Sequence, residues 1–187
     1  MKPRKPSPKS PSARRNLITV DEAGLVLGTA DNDRCHSKGG ILHSAFLAMI
    51  FDRQKRLLQA RRSRHKRLWP LFWDGTVAGH FYPGEDREEA VKKRIVEEIG
   101  LACDGLRYLF RFSYQARYRD IGVEREVCDV YSAAGIDGRE IALNAREVAE
   151  SRFLEIPRTA ELITAETEDF TPWFLLAFRQ GRGTGFI

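Results

Sequence analysis

The residues with the most chemistry to offer lie between Gly79 and Leu101, in the run GHFYPGEDREEAVKKRIVEEIGL. Glu85 sits in a loop, and Glu97 and Glu98 fall on the helix that follows. Carboxylates so placed supply hard oxygen ligands, and Mg²⁺ takes one or two of these and completes its shell with substrate phosphate oxygens and water. Arg94 stands one turn before Glu98, and residues four apart share a helix face. Its planar guanidinium is suited to phosphate. A second carboxylate pair, Glu124 and Glu126, lies in GVEREVCDVY. Strand alternation sends residues two apart to one face, so this pair can converge on a single ion.

The register of the first segment resembles the Nudix box, G-x5-E-x7-R-E-U-x-E-E-x-G-U with U aliphatic. Gly79, Glu85, Ile95, Glu97, Glu98, Gly100 and Leu101 fit it, and Lys93-Arg94 replaces the usual Arg-Glu. In hydrolases of this kind that glutamate is a metal ligand and often the base. Its loss argues against ordinary diphosphate hydrolysis. Type I isopentenyl-diphosphate isomerases carry an arginine at the same position.

The resemblance to those isomerases extends over most of Leu17 to Phe178. It implies that His36, His43 and His80 join Glu124 and Glu126 around one divalent metal; imidazole with carboxylate suits Zn²⁺ or Mn²⁺, with Mg²⁺ also accommodated. Taken singly, each histidine reads as a polar loop or core residue. The resemblance further implies diphosphate binding by Arg62, Lys66 and Arg94, with a Mg²⁺ held by Glu98. It gives Glu126 and Tyr114 catalytic roles, and it places Trp173 where an aromatic face can stabilise a carbocation by cation–π attraction. The family lysine expected near Asn32 is absent, though Arg34 is close.

One departure bears directly on activity. Isomerising a homoallylic diphosphate means adding a proton at one carbon and removing one from another, so an acid and a base must flank the substrate. The family places a cysteine at one side, and here that position is Ala78, whose methyl cannot carry a proton. Cys35 beside His36 is the thiol nearest in sequence to a site residue. Three functions follow: isomerisation of isopentenyl and dimethylallyl diphosphate by a rerouted proton transfer, hydrolysis of another diphosphate, or silent binding of prenyl diphosphates.

Composition narrows the remaining classes. The chain of 187 residues carries a formal charge of +5, but Met1–Arg15 holds six of its 31 basic residues and no acid. Without those six, 25 basic residues face 26 acidic ones, a net of −1. The Pro- and Ser-rich segment 1–15 reads as a disordered tail, and 16–187 as one domain. A solvated tail without a specific partner is favoured over nucleic-acid binding. No apolar run approaches the roughly 18 residues that span a bilayer, so the expected partner is a small diphosphate and no membrane. Cys35, Cys103 and Cys128 read as reduced thiols of a cytoplasmic protein.

These side chains need elements to hold them. NLITV and LVLGT flank Asp21–Gly24 as a hairpin, and Thr29–Gly40 reads as a loop. Ser44–Phe51 and Arg56–Ala60 read as strands, and LFWDGTVAGH as a passage into a loop closed by Pro83-Gly84. Val91, Ile95 and Ile99 recur every four residues, marking a helix over Asp86–Ile99 that Gly100 stops. LRYLFRFSYQARY and EREVCDVYSA flank Arg119–Gly122 as a long hairpin, Ser151–Ile156 is a short strand before Pro157, and Thr171–Gln180 is a helix with Pro172 in its first turn. Mixed strands with two or three helices predict an α+β Nudix fold, a mixed sheet flanked by helices.

Overall fold

The computed structural model describes residues 16–37 and 39–187. The tail expected over 1–15 lies outside the described residues. The chain runs β1 (Asn16–Val20), β2 (Val26–Asp31), α1 (Asn32–Cys35), β3 (His43–Asp52), β4 (Leu57–Arg62), β5 (Trp73–Asp74) and β6 (Val77–His80). It continues through α2 (Arg87–Ile99), β7 (Arg107–Tyr118), β8 (Gly122–Ile136), β9 (Val148–Leu154), α3 (Ile156–Ala165) and α4 (Pro172–Gly183).

Strand β3 is the hub of the sheet. Its run HSAFLAMIFD is apolar on both faces, and nine of its ten residues are buried. It pairs antiparallel with β6 and parallel with β8, in the registers Ala45↔His80 and His43↔Glu126. A strand covered on both sides reads as a continuous hydrophobic run. Its even residues Phe46, Ala48 and Ile50 pack against Val91, Ile95 and Ile99 of α2. Its odd residues Leu47 and Met49 share the opposite core with Phe174, Ala177 and Phe178 of α4 and with Leu162 and Ile163 of α3. The mixed sheet therefore lies between α2 and the α3–α4 pair, the α+β arrangement expected from the sequence.

Helix α2 begins and ends by local chemistry. Asp86 accepts from the Glu89 N–H at 3.0 Å as its N-cap. Gly100 ends it with φ 68°, a left-handed turn, and a Cβ there would lie 2.8 Å from the Ala142 carbonyl.

Three expectations change. Within the supposed loop of residues 29–40, β2 runs on to Asp31 and α1 follows, capped by Asp31, which accepts from the Asp33 N–H at 2.9 Å. The passage over 71–80 forms the short strands β5 and β6, because β4 and β3 lie beside them to receive their backbone bonds. The strand expected over 151–156 lies earlier, as β9 over Val148–Leu154, and Pro157 falls in the first turn of α3, where a proline loses no bond.

Candidate functional site

A cavity of about 640 Å³ opens at one end of β3, β6 and β8. His36 sits at the C-cap of α1, His43 begins β3, His80 ends β6, and Glu124 and Glu126 share one face of β8. Each offers a ligand atom, and these five atoms lie within 4.8 Å of one another. The three imidazole centroids form a triangle with sides of 4.8, 5.0 and 4.9 Å.

Backbone contacts orient two of the rings. Nδ1 of His36 lies 2.8 Å from the Asn32 carbonyl, and Nδ1 of His43 lies 2.7 Å from the Ile41 carbonyl. A carbonyl only accepts, so both Nδ1 atoms carry protons and both Nε2 atoms turn inward. His36 Nε2 lies 2.9 Å from Glu124, and His80 Nε2 lies 2.8 Å from Glu126. His43 Nε2 is 3.4 Å from Glu126, and Glu124 Oε2 is ion-paired with His36; both atoms are buried and neither makes a hydrogen bond of good geometry. Buried polar atoms left unbonded around a common centre mark a place for something else that bonds.

The charges fit that picture. Burial disfavours the charged ring of His36, but Glu124 outweighs it and pushes the ring up to about 9. Burial holds His80 below its ordinary value against the pull of Glu126. Burial would raise Glu126, yet His43 and His80 hold it well below the usual carboxylate range. Tyr114, paired across the hairpin with Glu126, donates to its Oε2 at 2.5 Å. Burial and then Glu126 push that phenol well above its ordinary value, so it keeps its proton.

Four charged groups stand together beside α2. Lys66 approaches Glu147 at 2.5 Å and Glu98 at 3.6 Å. Arg94 bonds Glu98 closely and lies 3.5 Å from Glu147. Gly79 joins this group to the strand, since a Cβ there would lie 3.0 Å from the Phe46 ring and 3.7 Å from Arg94 Nε. Arg62 lines the cavity too, but three of its donors are engaged, by Trp69 O, Leu68 O and Asp74. Ala78 and Trp173 line the cavity as well, Ala78 half-buried and Trp173 buried. Cys35 does not line it: the thiol packs with Leu17 and Ala30, and burial pushes it up to about 11.

The structure thus draws the five expected metal-site residues into one cluster. Glu98, Lys66 and Arg94 form a second group, and Tyr114 joins the first through Glu126. Glu85 accepts from the Tyr82 N–H at 3.2 Å and closes the turn before α2. Sequence reasoning missed Glu147, Asp74 and Cys128. Cys128 had a signal, because it lies two residues beyond Glu126 on the same face of β8 and lines the cavity. Glu147 and Asp74 had none, because their partners are remote in sequence.

Known proteins match this chain in sequence and in fold. Residues 41–174 match the NUDIX domain family. The chain is 34% identical to the isopentenyl-diphosphate Delta-isomerase of Haloarcula marismortui over 173 residues, covering 90% of this chain and 92% of that one. It is 31% identical to isopentenyl-diphosphate Delta-isomerase 1 of Photorhabdus laumondii over 160 residues, 85% of this chain and 90% of that one. Among solved structures, DR0079 from Deinococcus radiodurans aligns with a TM-score of 0.72 over 89% of this chain and 98% of that one, at 22% identity, a likeness of fold.

Proposed function

Because the chain belongs to the NUDIX domain family and to the isopentenyl-diphosphate Delta-isomerase family within it, we propose that it isomerises isopentenyl diphosphate with one proton-transfer group replaced by water. The observation that carries this reading is the Glu126–Tyr114 pair, bonded at 2.5 Å, in the same cavity as the five-residue ligand cluster.

The residues divide the work. His36, His43, His80, Glu124 and Glu126 fit a divalent ion, since two of their buried atoms lack hydrogen-bond partners and two rings present Nε2 inward. Three imidazoles and two carboxylates suit Zn²⁺ or Mn²⁺, with Mg²⁺ accommodated. Such an ion would fix the Glu126 carboxylate and lower the cost of its charge in a buried site. Lys66 and Arg94 hold the diphosphate, and Glu98 would hold a Mg²⁺, which would supply charge neutralisation for the phosphates. Arg62 adds its remaining donors.

Glu126 and Tyr114 then exchange one proton with the hydrocarbon chain. Adding a proton to the terminal alkene carbon leaves a tertiary cation, which the face of Trp173 stabilises. Losing a proton from the carbon two bonds away gives dimethylallyl diphosphate. Ala78 lines the cavity half-buried, and on this reading water carries the second proton there.

Proton NMR of isopentenyl diphosphate with the protein in D₂O tests this. Dimethylallyl diphosphate bearing deuterium is the expected product. Unchanged substrate without deuterium refutes the proposal and leaves a silent binder. A second reading, hydrolysis of another diphosphate, is favoured by Glu147, which sets a second carboxylate beside the Glu98–Lys66–Arg94 group; colorimetric phosphate release from a panel of other diphosphates would establish it.

A further inference from the structure

Behind the cavity wall, Asp74 gathers two groups that face the cavity. It ends β5 and is 4% exposed. Its register partner on β4 is Ala60, two residues before Arg62, so its side chain lies on the Arg62 side of the sheet. Its carboxylate accepts from the Gly75 N–H at 2.8 Å and from Thr171 Oγ1 at 3.0 Å. The Trp173 indole N–H bridges both oxygens, at 2.9 and 3.0 Å. Arg62 Nη1 reaches the second oxygen at 3.3 Å. The guanidinium carbon of Arg62 in turn stands 5.0 Å from the centre of the Trp173 ring.

From this geometry we propose that Asp74 is a positioning residue that locks the phosphate-facing Arg62 to the hydrocarbon-facing Trp173 and makes the Trp173 ring a stronger partner for a cationic carbon. The assignment rests on the isomerase reading above for its substrate, and on the hydrogen bonds alone for its geometry.

Two physical effects combine. A hydrogen bond from the indole N–H to an anion pushes electron density into the ring and deepens its negative face. Cation–π attraction grows with that density and with desolvation. Trp173 is buried, so the effect of the carboxylate is not washed out by water. The same carboxylate holds the first turn of α4 to β5, together with the bond from the Thr171 N–H to the Trp73 carbonyl at 2.9 Å. The phosphate end and the alkene end of the cavity thereby keep a fixed spacing, which proximity catalysis requires.

A merely structural carboxylate would change stability alone, so the test is a double-mutant cycle of Asp74→Asn with Trp173→Phe. Asparagine keeps an acceptor oxygen but loses the charge. Asp74→Asn should lower kcat on isopentenyl diphosphate by about tenfold, the scale of a desolvated cation–π contact, with a smaller change in KM. In the Trp173→Phe background the same substitution should cost little.

Fluorescence gives a readout independent of turnover. A carboxylate beside the pyrrole N–H stabilises the excited indole, in which electron density moves toward the benzo ring. Asp74→Asn should therefore shift the emission to shorter wavelength, and the shift should vanish in the Trp173→Phe background. Additive losses of kcat, or unchanged emission, would overturn the proposal. If the parent protein does not turn over isopentenyl diphosphate, the isomerase reading fails, while the emission shift still decides the role of Asp74. Should Asp74→Asn not fold, Asp74→Glu, which keeps the charge but displaces it by one methylene, replaces it in the cycle, and additivity refutes the coupling equally.

Discussion

Ala78→Cys asks whether the cavity is an isomerase site short of one proton-transfer group. Ala78 is half-buried on β6, in register with Leu47 of β3, and lines the same cavity as Glu126. A single added sulfur is small beside about 640 Å³ of space, so stability should change by less than about 0.5 kcal/mol. A positioned acid or base contributes roughly 10²–10⁴-fold. Here the thiol replaces water at a half-buried position, so the lower half of that range applies, about 10²–10³-fold. That is about 2.7–4.1 kcal/mol of barrier at 1.36 kcal/mol per decade. The assay is the initial rate of dimethylallyl diphosphate formation by NMR, with metal content measured on the same samples. A variant that folds, keeps its metal and shows neither isomerisation nor deuterium uptake would refute the reasoning and point to a different substrate.

Metal affinity should rise with pH. With its ring raised to about 9, His36 carries a proton below that pH that an ion must displace, so the apparent Kd for Zn²⁺ or Mn²⁺ should fall about tenfold per unit and level off above 9; titrations at three pH values check this. In the metal-free protein the sign is opposite: the stability that the His36–Glu124 pair contributes is full below 6.5 and fades as pH rises through about 9, as urea midpoints would show. Glu147→Gln should free Lys66 and Arg94 and strengthen Mg²⁺-free binding of inorganic pyrophosphate by about fivefold, a modest figure because Glu147 is 28% exposed; equal affinities by calorimetry would count against the four-group cluster. Gly100→Ala forces a side chain into a φ of 68° and toward the Ala142 carbonyl, and should cost about 2–3 kcal/mol in chemical denaturation.

Much of this was legible because it is periodic. The four-residue spacing of Val91, Ile95 and Ile99 with Gly100 behind it fixed α2 to within one residue, and alternation placed Glu124 and Glu126 on one face of β8. What escaped was short or non-local. Four residues of α1 carry no periodicity, and β5 and β6 are too brief to read without the β3 and β4 edges that they complete. Pro157 alone does not announce α3, because proline both breaks a helix interior and opens a first turn, and only the tertiary context chooses. Tertiary placement also explains Glu147 and Asp74. Glu147 meets Lys66 across 81 residues, and Asp74 meets Trp173 across 99.

The parallel pairing of β3 with β8 has a kinetic consequence. His43 and Glu126 become neighbours only when this pairing closes, and loop closure over so long a stretch comes at an entropic cost before the contacts repay it. The ligand cluster therefore does not exist in the unfolded chain, nor in any state where only the β1–β2 and β7–β8 hairpins have formed. An ion that binds only the completed cluster stabilises the end of folding and not its barrier. Added metal should leave the refolding rate unchanged and slow unfolding alone.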